Sequence, residues 1–242
     1  MKKLVILIAL ALGVAGAPAG SASAASGWTQ VNVPSNGNNI SRLGASADTS
    51  TDAWAVGQQF VAAGQPPATG VAYHWTGTAW TLTPTPELGQ YAALDGVSSS
   101  SPTDAWVVWF TMIRKFDYGT LTEHWNSSTW SASSVDAITG YAARLTAVVD
   151  LTPTNTWAVG EGSSSGVIEH WNGTPWSVVN LPDPDLSPAN GNAISADSAN
   201  DIWVVGSTVS AASDAIVPET LHWNGTTWTV CRSHSRTKPA LR

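Results

Sequence analysis

Short apolar segments alternate with polar, turn-forming clusters along nearly the whole chain. Ala53-Trp54-Ala55-Val56 follows a Ser-Thr-Asp cluster, for example, and Trp176-Ser177-Val178-Val179-Asn180-Leu181 ends at Pro182. This punctuation by Gly, Pro, Ser, Thr, Asn and Asp predicts many short strands joined by turns rather than long helices. Only the beginning differs. Lys2 and Lys3 precede an apolar run from Leu4 to about Val14, and Ala22-Ser23-Ala24 supplies a small-x-small cleavage site. Residues 1–24 therefore read as a secretory signal peptide.

The strands fall into a repeat. Trp54, Trp106, Trp157 and Trp203 form one column, in TDAWAVG, TDAWVVW, TNTWAVG and NDIWVVG. Trp75, Trp125, Trp171 and Trp223 form a second, each preceded by a histidine: His74, His124, His170 and His222. Trp80, Trp130, Trp176 and Trp228 lie five residues further on. Spacings within a column are 46 to 52 residues, a period that signals stacked repeat units. Each unit reads as four strands: a segment such as LDGVS, the WAVG strand, a strand ending in His-Trp, and a strand opening on the third Trp. Four strands of about five or six residues with their turns fill such a unit.

The HWNGTTW and WAVG motifs resemble the repeat of secreted bacterial β-propellers related to the kelch and Asp-box groups, over roughly residues 28 to 230. The resemblance implies an all-β propeller of four recognisable four-stranded blades. Where an Asp-box would place its aspartate, two residues before the glycine, this chain has Trp75 or Trp223. The likeness is therefore to the architecture and implies no sialidase activity. Trp28 to Pro34 reads as a lone N-terminal fourth strand. The last unit already has its own fourth strand at Trp228, so the strands do not balance. Residues 231–242, CRSHSRTKPALR, break the repeat with three Arg, one Lys and no acid. They read as an irregular basic tail on the repeat domain of residues 25–230, expected to be the truncated or frame-altered end of a longer, six- or seven-bladed protein. An incomplete propeller has an open edge, through which self-association is expected.

Composition narrows the partners. The net charge is −7, and only four basic residues lie between the signal peptide and the tail: Arg42, Arg114, Lys115 and Arg144. An acidic exported domain is a poor match for nucleic acid or an anionic membrane surface. After the signal peptide no apolar run approaches the 18 or so residues of a membrane span, so no membrane insertion is expected. Cys231 is the only cysteine, so no disulfide framework supports the fold.

Most residues that look chemical recur, and recurrence favours structure. Each Trp, if buried, contributes at most on the order of 4 to 6 kcal/mol, which a disulfide-free stack of sheets needs. The four histidines sit on equivalent strands of different units and cannot converge on one metal; a bond from a ring nitrogen to a neighbouring backbone group or to the blade's Ser, Thr or Asp is expected instead. The Asn-Gly pairs at 172–173 and 224–225 predict tight two-residue hairpin turns with positive φ at both central positions. Asp52, Asp104 and Asp201 predict side-chain-to-backbone turn bonds.

Function is sought where the units disagree. From the fourth residue of the WAVG motif to the histidine, unit three spans 10 residues and the others 17, 15 and 16. These loops and the links between units open on one face, which is the expected binding face. Unit two departs most, with Trp109 in place of the glycine at Gly57, Gly160 and Gly206, followed by Arg114-Lys115-Phe116-Asp117-Tyr118. Trp109, Arg114, Lys115, Phe116 and Tyr118 are the candidate binding residues, suited to a sugar face or an acidic group. Tyr91, Asp95, Tyr141 and Arg144, with Arg42 nearly equivalent, would rim a central funnel. They are the candidate catalytic residues if the chain is a hydrolase or lyase acting on glycans. A copper centre with a tyrosine linked to cysteine is excluded, because Cys231 lies outside the repeats, and neither metal nor cofactor is expected. The favoured expectation is a secreted, non-catalytic module that binds polysaccharide, cell-surface glycan or protein on the variable-loop face.

Overall fold

The computed structural model describes residues 30–34, 39–62, 65–86, 93–114, 117–133, 143–162, 166–179, 190–210 and 213–231. The expected signal peptide (residues 1–24), Trp28 and the tail beyond 231 lie outside them. Their strands form four antiparallel groups, each meandering in chain order. Blade I holds β1 (Asn39–Thr49), β2 (Asp52–Ala62), β3 (Gln65–Trp75) and β4 (Trp80–Thr83). Blade II holds β5 (Leu94–Ser101), β6 (Asp104–Arg114), β7 (Asp117–Trp125) and β8 (Trp130–Ser133). Blade III holds β9 (Arg144–Thr152), β10 (Asn155–Glu161), β11 (Gly166–Trp171) and β12 (Ser177–Val178). Blade IV holds β13 (Asn190–Ser198), β14 (Asp201–Val209), β15 (Ile216–Trp223) and β16 (Trp228–Val230), and meets blade III through the pair Glu161 and Asn190. The part of the expected N-terminal strand that is described, residues 30–34, is irregular rather than a strand, with Val33 packed against blade I.

The first strands β1, β5, β9 and β13 neighbour one another in sequence order and form the inner layer. The second strands of blades I to III are buried on both faces, which is why they read as unbroken apolar runs instead of alternating, whereas β14 leaves Trp203 and Val205 exposed on one face. In β6, Trp106 and Val108 face blade III while Val107 and Trp109 face blade I. Three such inter-blade cores stack along the chain.

The turns repeat as closely as the tryptophans. Each first-to-second-strand turn carries a hydroxyl that accepts a backbone N–H two residues on: Thr49 from Thr51, Ser101 from Thr103, Thr152 from Thr154 and Ser198 from Asn200. The indole N–H of the second-column Trp then donates to a carbonyl of that same turn, at Ser50, Pro102, Pro153 and Ala199. The turns at and equivalent to the Asn-Gly pairs depart from the expected type, which has positive φ at both central positions. Trp75 pairs with Trp80 and Trp125 with Trp130, leaving four residues between. Positive φ falls on the second of these four, at Gly77, Ser127, Gly173 and Gly225. Asn126 and Asn224 use their side-chain oxygens to accept the N–H groups two and three residues on, so the amide side chain closes the loop.

Gly160 marks where β10 is pressed hardest against the inner layer. A Cβ there would lie 1.9 Å from the Arg144 carbonyl oxygen and 2.7 Å from the Leu145 Cα, both backbone atoms with little freedom to yield. Gly160→Ala is expected to cost about 2–4 kcal/mol, read as a lower denaturant midpoint with an unchanged m-value. An unchanged midpoint would show that β9 moves aside freely.

Candidate functional site

The constant face, made by the two families of short turns, holds a repeated aromatic and polar unit. His74, His124, His170 and His222 each stack on the first-column Trp of their own blade, with ring centroids 3.9 to 4.3 Å apart. The Nε2 of each lies 2.6 to 2.9 Å from Oδ1 of Asp52, Asp104, Asn155 and Asp201, respectively. Among the partners expected for the histidines, the rings thus take the aspartates, which bind the ring rather than the turn backbone expected of them. The pairing explains why a histidine precedes each second-column Trp. It is a flat, polar-edged plate that covers the indole while its outer nitrogen is held. Burial pushes His170 below the ordinary histidine range.

Between blades II and III this unit extends into a carboxyl pair that no sequence signal marked. Ser100 Oγ donates to Asp104 Oδ2 at 2.6 Å, Ser100 N–H to Asp150 Oδ2 at 3.0 Å and Thr156 Oγ1 to Asp150 Oδ1 at 2.8 Å. Burial opposes ionisation of Asp104, but its bonds from His124 and Ser100 outweigh that and hold it below the usual carboxylate range. Burial and the Asp104 charge push Asp150 up to about 7. The two carboxyls that share the blade junction are thus pushed in opposite directions. Both are buried and committed to main-chain and side-chain partners, so they bind blade to blade and offer no surface to a substrate.

The variable face holds the candidate site. Asp95 occupies a β-bulge in β5, the residue left over between the pairs Leu94–Trp109 and Gly96–Val108. The bulge turns its side chain toward blade III, where Arg144 opens β9. Arg144 Nε and Nη2 donate to the two Asp95 oxygens, each at 2.9 Å, in a bidentate fork. Its guanidinium carbon stands 5.2 Å from the ring centroid of Phe110, and Nη1 faces Glu161 at 4.0 Å. Asp95 is enclosed, its side chain only 6% exposed, whereas that of Arg144 is 43% exposed. Burial pushes the Asp95 carboxyl above its ordinary value against the pull of Arg144, and the Asp95 bonds raise the guanidinium further.

Two of the expected rim residues, Asp95 and Arg144, are thus brought together from different blades. Arg42 pairs with Gly57 in β1, and its side chain lies outside the described residues, as do Tyr91 and Tyr141. Among the expected binding residues, Trp109 is corrected outright. It is fully buried in the core between blades I and II with Leu94 and Leu121, because the 2.0 period of β6 turns position 109 inward. Arg114 and Tyr118 lie in the β6–β7 ladder with their side chains outside the described residues, and Lys115 and Phe116 lie outside them altogether. Phe110 and Glu161 were missed. They sit one place beyond the WAVG motif, where the units carry Gln58, Phe110, Glu161 and Ser207; that divergence was the available signal.

No family model and no curated protein matches the chain. Among solved structures it is similar to YCF48 bound to D1 peptide, at 14% identity and a TM-score of 0.50, over 80% of this chain. The shared fold is the β-propeller. The chain spans about half, 55%, of that protein's length. At this identity the likeness concerns blade architecture alone, and neither the kelch nor the Asp-box affiliation follows from it.

Proposed function

We propose that the chain is an exported, non-catalytic binding module that holds a cell-surface or environmental glycan at the mouth of its variable face. The observation that carries this is Arg144, fixed by a two-bond fork from Asp95 and laid beside Phe110 on the face where the units diverge. A guanidinium already held in place loses little freedom on binding, so its outward N–H groups engage hydroxyl or carboxylate oxygens at low entropic cost. Phe110 offers an apolar surface for a sugar face, and Glu161 an acceptor for hydroxyl groups. A hydrolase or lyase reading is less favoured, since both oxygens of Asp95 are taken up by Arg144 and are not presented as a base or nucleophile.

A second reading, an extended peptide as ligand, is favoured by the peptide-bound state of the similar propeller. Equilibrium binding to a panel of polysaccharides and of unstructured peptides separates the two. For a glycan ligand, Arg144→Ala and Phe110→Ala are each expected to weaken binding about tenfold or more, with the fold intact by circular dichroism. Binding to peptides alone transfers the site to the second reading. Binding that survives both substitutions, or turnover of the glycan, overturns the proposal.

A further inference from the structure

Arg144 and Glu161 form the last pair of the β9–β10 ladder, and the backbone of Glu161 is also paired with Asn190 in blade IV. Three strands therefore fix the place from which the Glu161 side chain reaches the guanidinium. The fork to Asp95 uses Nε and Nη2 of Arg144. It leaves Nη1 facing Glu161 at 4.0 Å, too far for a hydrogen bond. The side chains of Arg144 and Glu161 are exposed to the same degree, 43% and 44%, so both are open to a ligand at the mouth. Two acidic groups thus flank one guanidinium. Burial raises the Asp95 carboxyl and the charge of Glu161 adds to it; on Arg144 the Asp95 bonds raise the guanidinium and Glu161 adds again. The surroundings lean the same way, because all 17 acidic residues and only four basic ones fall within residues 25–230.

We propose that this site selects uncharged glycans and that Glu161 is the residue that turns away uronate-bearing ones. The inference rests on the glycan-binding reading and names the class of glycan that the site takes. A hydroxyl group set beside the 4.0 Å gap accepts from Nη1 and donates to Glu161, so one oxygen of an uncharged sugar satisfies both residues. A carboxylate has no hydrogen to donate. Seated on Nη1, it would meet the Glu161 carboxylate as a like charge, partly out of water, where repulsion is stronger than in bulk solvent. The fork to Asp95 has already offset much of the attraction that Arg144 would hold for an anion. Phe110 takes the apolar face of a sugar whatever its charge, so discrimination falls to the polar pair. The units differ at this position, and blade I carries Gln58, the uncharged isostere of Glu161.

Equilibrium binding of the full chain tests this with soluble oligosaccharides of β-1,4-glucan, β-1,3-glucan, α-1,4-glucan and β-1,4-galactan, each assayed beside the same oligosaccharides oxidised at C6 to the uronate. Whichever backbone binds, its neutral form is expected to bind about tenfold or more tightly than its oxidised form. Glu161→Gln, which copies blade I, is expected to narrow that ratio about tenfold. The narrowing is expected to be largest at low salt, because added salt screens the repulsion at an exposed carboxylate. Glu161→Asp keeps the charge and is expected to keep the preference, which separates charge from packing. An oxidised form that binds the parent chain as tightly as the neutral one, a ratio that Glu161→Gln leaves in place, or a ratio shifted alike by Glu161→Gln and Glu161→Asp overturns the proposal while leaving the glycan reading standing. Binding to none of these preparations overturns the glycan reading and this proposal with it.

Discussion

Trp106→Ala is expected to destabilise the protein by about 3–5 kcal/mol, whereas Trp203→Ala, the same repeat position one junction further on, is expected to cost about 1 kcal/mol. Trp106 is buried between blades II and III. Its ring touches His124 on its own sheet and Trp171 and Trp176 on the next, so truncation empties a space walled by aromatic rings that cannot collapse together. Trp203 makes the equivalent stack with His222, but its other side meets solvent. The comparison holds residue type, strand and intrablade partner constant and varies only the neighbouring blade. Urea unfolding of the dilute chain measures both. Equal costs would mean that the intrablade stack with histidine, and not blade-on-blade packing, carries the energy of the column.

The second large effect is on pH dependence. Glu123 is fully buried on the leading side of blade II, where neither carboxyl oxygen has a hydrogen-bond partner among the described residues. Burial pushes its carboxyl up to about 8. The native state therefore keeps a proton that the unfolded chain releases near its ordinary value of 4.5. Stability is highest below that value, falls as pH rises through the interval up to about 8, and then levels off. The loss assigned to this one group is on the order of 3 kcal/mol or more. Glu169 and Asp150, both pushed up to about 7, act in the same direction. In the other blades the residue before the histidine is Tyr73, Glu169 or Leu221. Glu123→Leu copies the choice of blade IV. It is expected to raise the unfolding free energy at pH 8 by several kcal/mol and to flatten the profile between pH 5 and 8. A variant whose profile runs parallel to that of the parent would place the titration elsewhere.

Glu123 and Glu169 also show what repetition hides. Reading down the columns identifies the residues that recur, and those proved to be packing: the tryptophans, the histidines against Asp52, Asp104, Asn155 and Asp201, and the hydroxyls in the turns. Glu123 and Glu169 have no counterpart at their position in blade I or blade IV, where Tyr73 and Leu221 stand, so no column marks them. Trp109 misled for a related reason. Its departure from the glycine column was conspicuous, but the departure fills the junction between blades I and II, while Phe110 beside it reaches the rim.

Asp95 and Arg144 stand 49 residues apart and in different repeat units. Their joint placement near the axis was legible from their position at the start of first strands. Their bond was not, because it depends on a bulge that displaces Asp95 by one residue and on the stacking of β9 beside β5.

By itself the sequence determined the unit: four strands, their order, the places of their turns and the aromatic column at each position, since all of these follow from periodicity and turn chemistry within about fifty residues. Only the tertiary structure decided which copies of a repeated residue are covered and which are open. That depends on whether another blade stands beside them, and a side chain at a repeated position carries no mark of its neighbour. Trp106 and Trp203 read alike in their motifs; one is core and the other is surface because a blade follows the first.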